Sequence, residues 1–180
     1  SAANALTDRS CQSLKINGTE ITTVDNAATV ELAPGTTSVS LEALSQPVEY
    51  LEASFGGNTY SSTRNEDLTE VLNTTLTGLV SGDQLLTITS ADGNNHATLH
   101  ETISITLHVI PLFSSLTVDG LAAKEGSTIS LEANTSSVDV AVQAINPDAT
   151  VTITGNTGLV AGENTLSISV ANPSTSTLGD

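Results

Sequence analysis

The chain repeats one of its own phrases. Residues 78–89 read G-L-V-S-G-D-Q-L-L-T-I-T and residues 158–169 read G-L-V-A-G-E-N-T-L-S-I-S, so Gly78, Leu79, Val80, Gly82, Leu86 and Ile88 recur as Gly158, Leu159, Val160, Gly162, Leu166 and Ile168. A phrase met twice requires one supersecondary plan built twice. Its chemistry is that of folding: the glycines permit a tight connection with positive φ, the polar residues after the second glycine suit a turn, and Leu-x-Ile alternates into a core. Further matches extend the repeat. Ser13-Leu14 and Gly18 align with Ser115-Leu116 and Gly120, Thr29, Leu32 and Val39 with Thr128, Leu131 and Val138, and Pro47 with Pro147. The spacing between copies changes only at turns.

Composition says what such units are made of. Of 180 residues 38% are hydrophobic but only 2% aromatic, with no Trp or Met, so the core must be thin and built from branched aliphatics, which suit a pleated sheet. Twenty Asp and Glu face only Arg9, Lys15, Arg64 and Lys124, a net charge of −16. That balance argues against nucleic acid or an anionic membrane as partner. The acidic residues are scattered, as on a solvated surface. No run approaches the roughly 18 apolar residues of a membrane helix, so no membrane insertion is expected. Nor does the amino end show a basic-then-apolar leader, and Ser1 fits loss of an initiator Met or of a longer segment. A single cysteine, Cys11, opens an apolar strand pattern and reads as a buried, inert thiol.

Taken in order, residues 1–10 form a small polar arm. Leu14-Lys15-Ile16 alternates into Asn17-Gly18, a hairpin signal, and strands follow at Thr29–Leu32 and Ser38–Leu44. Apolar residues of both parities between Val48 and Phe55 predict a bulge or a change of sheet. Residues 62–73 look helical: Thr63 to Glu66 fits a capping box, and Leu68, Val71 and Leu72 recur at i, i+3 and i+4. A long strand is expected from His96 to Val109, with Ala97, Leu99, Ile103, Ile105, Leu107 and Val109 inward and all three histidines outward. Pro111 marks a boundary at 110–112. The resulting organisation is an arm (1–10), a first β-sandwich (11–110) with an insertion at 51–75, and a second (111–180) that ends in a polar tail.

Aligning the copies exposes two departures. The first carries about 20 more residues between Pro47 and Gly78 than the second does between Pro147 and Gly158, and an insertion unique to one copy is a place to look for function. The second has nothing equivalent to the His96–Val109 strand. Three arrangements fit that pattern: a chain cut short before the strand, a sandwich that closes with fewer strands, or a strand supplied by another chain through β-addition. The last predicts an oligomer, with the amino-terminal arm as one possible donor. These departures select Phe55, Tyr60, Arg64, Leu68 and Val170 as candidate interaction residues.

Ser115-Leu116-Thr117-Val118-Asp119-Gly120, the stretch from Asn146-Pro147-Asp148 to Ile153, and Gly158 to Val170 together resemble the cadherin-like or immunoglobulin-like β-sandwich repeats of phage virion proteins and bacterial surface proteins. The resemblance covers nearly all of residues 11–175. It implies an all-β protein of two tandem immunoglobulin-like sandwiches, the second lacking its last strand. The motifs specify the fold more than the role; the absence of a leader pattern, an amino end compatible with Met removal, the acidic surface and the missing strand point to a non-enzymatic structural role in an extracellular assembly, foremost a virion component such as a capsid decoration or tail protein. The alternatives are a bacterial surface adhesin or filament subunit, or a ligand-binding accessory module. Partners would be other protein chains of the same assembly.

Little else points to chemistry. His96 and His100 at i and i+4 on one strand would lie about 13 Å apart, too far to share a metal. Asp92-Gly93-Asn94-Asn95 and Asn146-Pro147-Asp148 are oxygen-rich turns without the spacing of a calcium loop, which leaves calcium a weak candidate and no other cofactor. No nucleophile elbow, phosphate loop or dinucleotide fingerprint is present, so no catalytic residue is expected.

Overall fold

The computed structural model describes residues 11–173, which places the amino-terminal arm and the end of the tail outside the described residues. The protein is all-β, and among the described residues there is no helix. It divides between Ile110 and Pro111 into two compact units.

The first unit runs β1 (Cys11–Ile16), β2 (Thr19–Glu20), β3 (Ala27–Leu32), β4 (Ser38–Ser45), β5 (Glu49–Phe55), β6 (Asn58–Ser61), β7 (Thr63–Arg64), β8 (Glu70–Thr77), β9 (Gly82–Asp92) and β10 (Leu99–Val109). Two five-stranded sheets result, ordered β2-β1-β4-β8-β7 and β3-β10-β9-β5-β6. All pairings are antiparallel except that of β3 with β10, which runs parallel from Ala27↔Ser104 to Leu32↔Val109. Period-two alternation turns one face of each sheet inward. Leu14, Ile16, Leu41 and Leu76 of one sheet and Leu51, Leu86, Ile105 and Leu107 of the other are all buried in a single apolar cluster, an arrangement consistent with a β-sandwich. Cys11 is buried there too, and its thiol donates to Ser13 O at 3.4 Å.

Two local expectations are corrected. Residues 62–73 form β7, a turn and the start of β8, with no helical segment. Leu68 cannot continue a helix because it takes φ 69°, and Glu70 and Leu72 are buried on alternate positions of a strand. The apparent helical spacing of Leu68, Val71 and Leu72 therefore joins a turn residue to the two faces of a strand. The mixed parity near Val48, by contrast, does mark a change of sheet: Val48 stands with φ 65° between β4 and β5, which belong to different sheets, and Leu51, Ala53 and Phe55 of β5 face inward without a bulge. Finally, β10 begins at Leu99, not at His96, and a bulge between Leu99 and Glu101 leaves Leu99 exposed. Ile103, Ile105, Leu107 and Val109 are buried.

The second unit contains β11 (Phe113–Val118), β12 (Leu121–Ala122), β13 (Val140–Ala144), β14 (Thr150–Thr154) and β15 (Ser167–Ala171). Their pairings reproduce those of β1, β2, β4, β5 and β9. The turn Asn17-Gly18 (φ 49° and 78°) becomes Asp119-Gly120 (φ 49° and 78°), the left-handed pair a two-residue hairpin demands. Leu14↔Ala43 becomes Leu116↔Val142, and the β1 irregularity between Cys11 and Ser13 recurs between Phe113 and Ser115. Ala53↔Ile88 becomes Ile153↔Ile168. The doubled phrase is closed by an amide: Gln84 accepts from Val80 N at 2.8 Å and donates to Val80 O at 2.7 Å, as Asn164 does with Val160 at 3.1 and 2.8 Å.

Packing differs between the units. Leu86 is 0% exposed, whereas its counterpart Leu166 is half-buried. Leu86→Ala should cost about 2–5 kcal/mol, and Leu166→Ala less than roughly half of that, because atoms already in water contribute little transfer energy. Denaturant titrations of the two variants measure this difference.

Candidate interaction surface

The first unit carries a buried polar corner where the chain changes sheets. Ser62 links β6 of one sheet to β7 of the other. Its amide donates to Leu51 O at 2.9 Å, and its hydroxyl accepts from Leu51 N at 2.9 Å and donates to Glu70 Oε1 at 2.6 Å. Glu70 is buried, and its other oxygen accepts from Arg64 Nε at 3.0 Å. Its backbone amide donates to Ser45 Oγ at 2.8 Å. Arg64 also donates through Nη2 to the carbonyl of Gly93, the amide of Gly93 donates to Val48 O, and that of Val48 to Leu68 O, both at 2.9 Å. Left-handed φ at β-branched Val48 is uncommon and holds only where surrounding bonds determine it. Gly93 is required by close approach: a Cβ there would lie 2.5 Å from Val48 O.

This geometry sorts the candidate residues of the first unit. Phe55 is a core residue, 6% exposed, and Tyr60 packs against the same core. Phe55 is thus withdrawn from the surface, whereas Tyr60 remains half-buried. Arg64 is engaged with Glu70 and Gly93, a structural task. Leu68 alone stands out of the surface, 47% exposed. The presumed insertion is therefore sheet: Leu72 and Leu76 of β8 belong to the core.

On the outer face of β5, β9 and the turn before β10, Tyr50 stacks on His96 with ring centroids 3.7 Å apart. Glu52, Thr89, Ala91, Ala97 and Leu99 complete a shallow recess of about 210 Å³. Sequence reasoning missed this stack because it put His96 in a strand. His96 has φ 57° and sits in the turn after Asp92. The Tyr50 hydroxyl is engaged by Ser61 at 2.8 Å and Glu52 at 3.1 Å. His100 pairs with Glu49 at 2.7 Å, and His108 with Asp83. Among the described residues no group of three His, Cys, Asp or Glu side chains gathers to hold a metal ion.

The second unit presents a different kind of surface. In the first, β9 pairs with β5 on one side and β10 on the other. β15 pairs with β14 alone among the described strands. Val170 lies here, half-buried on the same face as Ile168. Residues 126–131, which align with β3, form no strand, and Ile129 and Leu131 are 45% and 42% exposed where Leu32 is 7%. β13 also lacks a full neighbour: the whole of β8 is replaced by the single bridge Ser137↔Thr157. The unit thus lacks counterparts of β6, β7, most of β8 and β10 among the described residues, more than its last strand. Compared with known proteins, the sequence matches no protein-family model and none of the curated proteins.

Three outcomes follow from the polar corner and its turns. Arg64→Ala leaves the Glu70 carboxylate buried without its cation. Because the Arg64 side chain is 36% exposed, the cost should fall below the ~3–5 kcal/mol of a fully buried pair, at about 1–3 kcal/mol in denaturant titration. Gly93→Ala should destabilise by about 1–3 kcal/mol, as overpacking against backbone does, and Gly57→Ala, where nothing lies within 4 Å, should avoid that clash and lose only what its φ of 81° imposes. The third concerns pH. Asp92 is held below the ordinary value of 3.8, first by the amide of Asn94, and Asp67 likewise, first by the Thr69 hydroxyl at 2.6 Å. Both folded values lie below the unfolded one, so their support is complete above about pH 3.8 and is lost as pH falls through the lower folded values. Carboxyl chemical shifts followed by NMR should show both groups titrating below the ordinary value of 3.8.

Proposed function

We propose that this chain is a non-enzymatic structural protein of an extracellular assembly, built on two tandem immunoglobulin-like sandwiches, and that the assembly is a virion in which it serves as a capsid decoration or tail protein. The observation that supports the reading most is the open second unit. Among the described residues it has five strands where the first unit has ten, and its apolar positions at Ile129 and Leu131 are 45% and 42% exposed where Leu32 of the first unit is 7%. Sheet edges and apolar faces of this kind are completed by neighbours in assemblies. A net charge of −16 keeps such a chain soluble and apart from nucleic acid. The same open edges also suit a bacterial surface adhesin or filament subunit joined by strand exchange.

Gold-labelled antibody to the chain, applied to purified particles and to cells of the source organism, separates the two readings. Label at regular positions on virions, with the chain in fixed ratio to the major particle protein, is the expected result. Label confined to the cell envelope would contradict the virion role.

A further inference from the structure

We infer that the recess beside the Tyr50–His96 stack of the first unit binds a primary ammonium group carried on a short aliphatic stem. This goes beyond the assembly reading and stands apart from it.

The recess is built by three adjacent strands and the turn between two of them. Tyr50 and Glu52 of β5 stand opposite Ala91 and Thr89 of β9, and Leu99 of β10 stands opposite Ala91 on the other side. The turn from β9 to β10 brings His96 back onto Tyr50, with the two ring planes 9° from parallel. Its own bonds hold that turn: Asp92 N donates to Thr98 O and His96 N to Asp92 O, both at 2.9 Å, Asn94 N donates to Asp92 Oδ1 at 2.7 Å, and Ala97 N to Asn95 Oδ1 at 2.9 Å. A lining fixed in this way loses little freedom when a ligand arrives. Ala91, Ala97 and Leu99 supply its apolar part, and Leu99 is 63% exposed.

One carboxylate oxygen sets the chemistry of the occupant. The Tyr50 hydroxyl lies 3.1 Å from Glu52 Oε2 and 2.8 Å from Ser61 Oγ, while Glu52 Oε1 has no donor among the described residues. The neighbouring carboxylates are engaged: Glu49 faces His100 Nδ1 with both oxygens, at 3.0 and 2.7 Å, and Glu70 holds Ser62 and Arg64. An anion beside stacked aromatic rings attracts a cation through charge and ring quadrupole together. The net charge of −16 gathers cations at the surface and repels anions. A guanidinium fork matches two oxygens at once, and Glu52 offers one, so a single ammonium fits better. The apolar wall asks for a stem as well as a head. Alkyl chains lie along such a surface while their charged end reaches a polar partner, and a recess of about 210 Å³ admits a short one.

Titration of the full chain with n-butylammonium chloride at fixed ionic strength, followed by the ring-proton NMR signals of Tyr50 and His96, tests the site. Both signals should shift and saturate at 1:1 with a Kd on the order of 1 mM, as one charge-assisted hydrogen bond and a half-exposed cation–π contact allow. Glu52→Gln, which keeps the shape and removes the charge, should weaken binding at least about tenfold, with the melting curve unchanged. His96→Asn, whose side chain tolerates the left-handed turn but cannot stack, should weaken it too. Equal shifts with n-butanol, equal affinity in Glu52→Gln, or shifts that rise without saturation and spread over all the acidic residues would each overturn the inference. Two further probes read the source of the ammonium. Tighter binding of N-acetyl-lysine methylamide than of 1,5-diaminopentane names a lysine side chain of a protein, and the reverse names a free polyamine. Failure of both to move the Tyr50 and His96 signals would again overturn it.

Discussion

The architecture depends on one strand paired on both sides. β10 is the only described strand that joins a parallel ladder to an antiparallel one, and through it β3 enters the second sheet at all. It brings four buried aliphatic side chains into the core of the first unit. Backbone groups of an extended segment must find partners or face water, so a chain that keeps β3's sequence without β10 cannot keep β3's conformation. The second unit shows this consequence within the same molecule. Residues 126–131 retain an alternating Thr-Ile-Ser-Leu pattern and still form no strand.

The opposite corner of the first unit is governed by a charge. Glu70 is buried at the point where the chain crosses between sheets, and Arg64, Ser62 and Ser45 supply its surroundings. A buried carboxylate is tolerated only with such partners. The same guanidinium reaches the carbonyl of Gly93, whose lack of a side chain lets the turn approach Val48. β7 and β8 are thereby fixed against the turn that leads into β10. The second unit has no counterpart of these residues, and its β13 meets only a bridge where β4 meets β8.

Much of this plan is legible in the sequence wherever the two copies can be compared. The doubled Gly-Leu-Val phrase, the Asn-Gly and Asp-Gly turns and the inward alternation of Leu14 and Ile16 are local signals, and pairings in both units follow them. Reasoning from residues failed where only one copy exists. Leu68, Val71 and Leu72 have helical spacing, and nothing in their identities announces that Leu68 adopts a left-handed turn held by Val48 and Asn65. Arg64 reads from the sequence as a candidate interaction residue, and its pairing with Glu70 is not legible there because nothing announces that Glu70 is buried. Phe55 and Tyr60 lie in the stretch that only the first copy has, and nothing local announces that Phe55 enters the core and that Tyr60 packs against it. The shortfall of the second unit was visible as one missing strand, and the rest was hidden because β6 to β8 had been read as decoration.

Amide hydrogen exchange on the chain alone tests the central claim most directly. Residues 27–32 and 82–86 should be protected by their ladders with β10, and their counterparts 126–131 and 162–166 should exchange near the unprotected rate while 167–171 remain partly protected. Equal protection of the two sets would contradict the account, because it would show that the second unit already closes without a strand in the place of β10.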